Sequence, residues 1–188
     1  AFGVAVIVFE LGRRRAATGA RLDEIAADVA QTEALLALGT RLRTRRPLPA
    51  MRGYAIAPDC ALLLATLVAE ERPGLVVETG SGVSTLVIAY ALEAIGGGRV
   101  LSLEHDRARA DATRAEIAAH GLSAYATVVH APLGPCEIAG EGYVWHDLRA
   151  LEGAGAIDLV FDDGPPKYLG RMLRAASLRV SVGAAQRG

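Results

Sequence analysis

The stretch richest in usable chemistry runs Glu78, Thr79, Gly80, Ser81, Gly82, Val83, Ser84, Thr85. Two glycines one residue apart let a backbone turn tightly and approach a ligand closely. Ser84 or Thr85 then opens a helix, whose first N–H groups favour electronegative atoms. A glycine–any–glycine turn alone is shared by several kinds of nucleotide and nucleoside binders. Two features narrow it. Thr85 stands where a dinucleotide turn has its third glycine, and Glu78 sits two residues before Gly80 at a strand end. A carboxylate facing the ligand crevice there repels a pyrophosphate and attracts a cation or an amino group. Glu104, at the end of the next apolar run, stands where an acidic residue holds vicinal ribose hydroxyls in nucleoside-binding α/β folds. The plain alternative for both acids is a pair of solvated charges at strand ends.

Two further groups could do chemistry. Asp162-Asp163-Gly164-Pro165-Pro166 follows a fourth apolar run. A carboxylate there can remove a proton from a hydroxyl or hold a metal that does so; equally, Asp before Gly-Pro is common turn chemistry. His146 and Asp147 follow Trp145. His146 could be a base and Trp145 a pocket wall, or Asp147 could cap a helix with Trp145 in the core.

The elements that position these residues follow from periodicity. Strands are expected at 75–78, 99–104, 124–130 and 157–162, with helices at 60–72, 84–95 and 107–120, the first opened by Asp59. A short helix is expected at 145–152. Continuous apolar strands alternating with helices imply a doubly wound, mostly parallel sheet, with ligands at the carboxyl ends of its strands. Upstream, 20–46 reads as a helix stopped by Pro47, with Leu22, Ile25, Val29, Leu36 and Leu42 at helical spacing. Residues 47–57 read as a linker, from which Tyr54 could close over a ligand.

Glu78 to Thr85, Leu103-Glu104-His105-Asp106 and Ile157 to Pro166 resemble the first, second and fourth motifs of class I, Rossmann-like S-adenosylmethionine-dependent methyltransferases, bacterial members in particular. The likeness covers about 58–166. It implies that Glu78, Gly80, Ser81 and Gly82 hold the methionyl part of S-adenosylmethionine and that Glu104 holds the ribose. His105 would flank the adenine, with His130 and Ala131 on its other side, and Ser84 would sit at the helix start. Asp163 matches the family's acid beside the transferred methyl, and Asp162 is a departure from the pattern. Asp163 and His146 are the expected catalytic residues. No metal is expected, because further acidic ligands are lacking after Asp163. The implied reaction is methyl transfer to a small molecule, chiefly to oxygen. The alternatives are a membrane-tethered, non-catalytic nucleoside-binding module and a dinucleotide-binding oxidoreductase, the latter opposed by Glu78 and Thr85.

The remaining features set bounds. With 20 basic and 21 acidic residues the net charge is −1, which argues against a nucleic-acid-coating protein. Cys60 and Cys136 lack the spacing of a zinc or disulfide framework, in keeping with a cytoplasmic setting. Residues 1–11 are nearly all apolar and run into Arg13-Arg14-Arg15, like the last part of a spanning helix with its cytoplasmic flank, or like a short buried element. The expected organisation is an apolar segment at 1–15, a helix and linker at 16–57 and the cofactor-binding α/β domain at 58–188. About 130 residues are then left for a fold that, as the family resemblance implies, uses seven strands when complete. With Leu178 to Val182 as a possible fifth strand, the fold is expected to be incomplete at its carboxyl end and the chain poorly active.

Overall fold

A computed structural model describes the backbone of residues 2–53, 55–138 and 141–162, and the side chains of that span from residue 21 onward except 138, 141 and 143. In chain order the elements are α1 (Phe2–Arg41), α2 (Pro58–Glu71), β1 (Leu75–Thr79), α3 (Val83–Ile95), β2 (Arg99–Glu104), α4 (Arg107–Ala119), β3 (Ala126–His130), β4 (Leu133–Ile138), β5 (Glu141–His146), a 3-10 turn (Leu148–Leu151) and β6 (Leu159–Asp162).

Four of the strands form one parallel sheet in the order β3-β2-β1-β6. The chain builds outward from β1 to β3, then returns to pair β6 on the other side of β1. That reversal opens a crevice at the carboxyl ends of β1 and β6, where α/β sheets bind ligands. The register brings Thr79 beside Leu103 and Asp162, and Glu104 beside His130. All five β1 residues are buried, so β1 reads as an unbroken apolar-rich run.

The core lies between this sheet and α2, α3 and α4. Every residue of α3 from Val83 to Leu92 is buried. Each large apolar side chain so covered contributes roughly 1.5–3 kcal/mol. Helix α4 is amphipathic and buries Ala110, Thr113 and Ile117 along one stripe, capped by the Asp106 carboxylate, which accepts from the N–H groups of Ala108 and Arg109. Between α3 and β2 the chain turns at Gly98, with φ 83°; a Cβ there would stand 2.2 Å from the Pro73 carbonyl oxygen. Only glycine serves at that turn.

Several sequence expectations shift. Helix α2 starts at Pro58, with Ala57 at its N-cap, and Asp59 lies inside the first turn. Proline fits there because the first helical N–H has no partner within the helix. Helix α1 is longer than expected at its start and ends at Arg41, ahead of Pro47. It runs unbroken through residue 15. Its packed face is Ala34 and Leu38, continued by Leu42 just past its end, while Leu22, Ile25, Val29 and Leu36 stay exposed. The helix carries two apolar faces, and periodicity alone does not say which one the domain covers. No helix among the described residues is long and apolar enough to cross a membrane.

The helix expected at 145–152 is replaced. Trp145 and His146 belong to β5, which pairs antiparallel with β4, and only Leu148–Leu151 coils, capped by Asp147. Both strands of this hairpin are short and are broken by Gly134, Pro135 and Gly142, which hide the strand alternation. The possible strand at 178–182 lies outside the described residues.

Candidate active site

The turn after β1 is held from below. Gly80 has φ 83°, which favours glycine, and donates its N–H to the Leu103 carbonyl at 2.9 Å. The Gly82 N–H donates to Thr85 Oγ1 at 3.0 Å, and that hydroxyl donates to Glu78 Oε2 at 2.5 Å. Glu78 is 0% exposed. This corrects the expectation that its carboxylate faces the crevice. Glu78 lies under the turn as an acceptor for Thr85, because a buried carboxylate must take hydrogen bonds and the threonine hydroxyl supplies one.

Glu104 is placed as expected, at the carboxyl end of β2 beside the turn. It is 2% exposed. Its Oε2 accepts from the Ser81 N–H at 2.9 Å and the Ser81 hydroxyl at 3.1 Å. Its Oε1 accepts from the Asp106 N–H at 2.9 Å and stands 3.1 Å from His105 Nδ1. The two acids thus do different work: one props the turn, and the other stands at its edge.

The other predicted residues gather at the same end of the sheet. The Ala131 N–H donates to the Glu104 carbonyl at 2.8 Å. His130 Nε2 is 3.2 Å from the His105 carbonyl oxygen, to which it donates. His146 Nδ1 donates to the Ala131 carbonyl at 3.1 Å. The His105 and His146 rings meet edge-on with centroids 6.0 Å apart. Thr79 Oγ1 donates to Asp162 Oδ1 between the paired ends of β1 and β6. Ser84 is buried in the first turn of α3. Asp163 and Tyr54 lie outside the described residues.

A cavity of about 260 Å³ opens beside the turn, lined by Ala55, Ile56, Ser81, Gly82, Ser84 and Arg109 among others. A Cβ built on Gly82 meets nothing within 4 Å, so the turn faces open space. Sequence reading missed four contributors here. Arg109 and Thr113 come from α4, and Ala55 with Ile56 comes from the linker. The available signal was Thr113, a hydroxyl within the otherwise apolar stripe of Ala110 and Ile117. Among the described residues no group of three His, Cys, Asp or Glu side chains could hold a metal ion.

His146 is 1% exposed. Burial pushes its pKa below the usual 6.5, against the raising effect of its bond to Ala131. With Nδ1–H given to that carbonyl, Nε2 is the basic nitrogen. The folded protein resists protonating this ring. Stability from this group is therefore full above about pH 6.5 and is lost as the pH falls below it toward the lowered folded value. Melting temperatures taken from pH 8 to pH 5 should fall less steeply in His146→Gln than in the unaltered chain. Equal slopes would show that His146 does not carry the effect.

A methyltransferase-domain family model matches residues 77–180, more than half of the chain. The chain belongs to that family, as a class I, Rossmann-like member. None of the curated proteins matches it. Among solved structures it is similar to cofactor-bound Rv0187 from MTB, with 24% identity and a TM-score of 0.45 over 70% of this chain and 51% of that one. It is similar to the SAH-bound methyltransferase PaMTH1 of Podospora anserina, with 18% identity and a TM-score of 0.49 over 77% and 57%. It is also similar to the O-methyltransferase TomG of Streptomyces achromogenes, in complex with SAM and involved in tomaymycin synthesis, with 23% identity and a TM-score of 0.45 over 68% and 53%. The chain thus spans little more than half the length of these structures.

The residues present fit S-adenosylmethionine. A buried acid stands at the carboxyl end of β2, and a tight turn with open space above it leads into a helix start. The cavity at that helix start also carries the Arg109 side chain.

Proposed function

We propose that this chain binds S-adenosylmethionine at the carboxyl edge of its sheet and serves an enzyme that methylates a small molecule, chiefly on oxygen. The observation that carries the reading is Glu104, buried beside the Gly80–Gly82 turn next to the crevice between β1 and β6. When bound, the cofactor supplies a methyl group on a sulfonium, an electrophile that needs no activation by the protein. Glu104 binds the ribose hydroxyls. Gly80, Ser81 and Gly82, with Ser84 at the start of α3, receive the methionyl end, and Glu78 supports them through Thr85. His105, with His130 and Ala131, borders the adenine.

Transfer then needs an acceptor held in line and relieved of its proton. Asp163, one residue beyond β6, is the proposed base. His146 is its neighbour in role, with its basic nitrogen fixed by the Ala131 contact. A near-neutral protein of this charge suits small acceptors over nucleic acid.

The test uses methyl-labelled S-adenosylmethionine and matched phenol, carboxylic acid and amine acceptors. Label should enter the oxygen acceptors and fall about a hundredfold in Asp163→Asn, the usual scale of general-base loss. Label entering amines alone would overturn the assignment to oxygen.

A further inference from the structure

A carboxylate offers about four lone-pair positions, and donors fill three of them at Glu104: the backbone N–H groups of Ser81 and Asp106 and the Ser81 hydroxyl. The His105 ring crowds the remaining side, with Nδ1 3.1 Å from Oε1. A ribose diol bound to both oxygens, as the function proposed above requires, must take the place of the Ser81 hydroxyl on Oε2, because the backbone donors are fixed by the turn and by the start of α4. The Ser81 hydroxyl then needs another acceptor, since an unmade hydrogen bond in a half-buried site is costly.

Thr113 supplies it. Its Oγ1 is 3.0 Å from Ser81 Oγ, and the residue is 5% exposed on the inner face of α4. Ser81 Oγ therefore lies at hydrogen-bond distance from both Glu104 and Thr113, and a rotation of its proton suffices to change partner. With the ribose absent, Ser81 donates to Glu104 and Thr113 donates to Ser81. With the ribose present, Ser81 donates to Thr113, whose own proton can turn to the carbonyl four residues back, a bond that helical threonines commonly make.

We infer that Thr113 is a positioning residue for cofactor binding, the acceptor that takes the Ser81 hydroxyl when the ribose claims Glu104. Thr113 borders the cavity beside the turn, and in this role it acts through Ser81. The inference rests on the proposed function.

Its test is calorimetric titration of S-adenosylhomocysteine into the unaltered chain and into T113V, T113S, S81A and S81A/T113V, with melting temperatures taken alongside. T113V should bind about tenfold more weakly, the scale of one hydrogen bond. T113S should bind like the unaltered chain. S81A, whatever it does by itself, sets the background: with the Ser81 hydroxyl gone, adding T113V should cost nothing further. The double variant should match S81A. A T113V loss that persists in the S81A background overturns the inference. Should T113V not fold, T113A replaces it in both backgrounds. No binding by the unaltered chain would remove the functional reading and this inference with it. Binding by the unaltered chain, with T113V equal to it, would remove this inference alone.

Discussion

Replacing Glu104 with alanine is expected to weaken binding of S-adenosylhomocysteine by at least about a hundredfold, since two charge-assisted hydrogen bonds to the ribose are worth roughly 1.5–3 kcal/mol each. The same change harms the protein before any ligand arrives. The Ser81 and Asp106 N–H groups lose their acceptor, so the turn after β1 and the entry to α4 both loosen. A fall in melting temperature should accompany the lost affinity. Glu104→Gln keeps the shape but sets an amide NH2 group against donors, and it should fall between the two. Affinity in the alanine variant within about threefold of the unaltered chain, with the ligand in slow, specific exchange, would show that the ribose is held elsewhere.

Glu78→Ala should act through stability. The side chain is 0% exposed and accepts from Thr85, which also accepts from the Gly82 N–H. Removal leaves a cavity and an unanchored hydroxyl beneath the turn, at a cost of about 3 kcal/mol. For a domain of this size that is a drop of roughly 6–12 °C in melting temperature. Binding weakens as a consequence of the loosened turn. A carboxylate that met the ligand's ammonium directly would give the opposite pattern, lost affinity at an unchanged melting temperature. Thermal unfolding and titration of this one variant therefore separate the buried prop seen in the structure from the ligand contact read from the sequence.

The difference at Glu78 shows where sequence reasoning reaches its limit. In a strand buried on both faces, alternation carries no information about which way a residue points. Glu78 and Glu104 looked alike as strand-end acids, and only the Thr85 hydroxyl below the turn tells them apart. The parallel αβ alternation itself was legible, because 75–79, 99–104 and 126–130 are continuous apolar-rich runs separated by amphipathic or apolar helices that end at Gly96 and Gly121. The Gly80–Gly82 turn was legible for the same reason: its position after a strand and before a helix is local. The β4–β5 hairpin was not. Its strands carry Gly134, Pro135 and Gly142, and Trp145-His146-Asp147-Leu148 fits a helix start as well as a strand end. The face of α1 that packs was hidden too, because two sets of apolar residues share that helix and the choice is made by α2. Thr113 is the clearest lesson for the site. A single hydroxyl in a buried helical stripe is a small signal, and its meaning depends on the neighbour it finds in space.

The central claim is that the turn at Gly80–Gly82 and the acid at Glu104 form a site for S-adenosylmethionine. Isothermal titration of this chain with S-adenosylhomocysteine, run beside NADH under the same conditions, tests it most directly. One-to-one binding of the homocysteine ligand, no heat from NADH, and loss of the signal in Glu104→Ala are the expected results. Saturable NADH binding without S-adenosylhomocysteine binding would contradict the account.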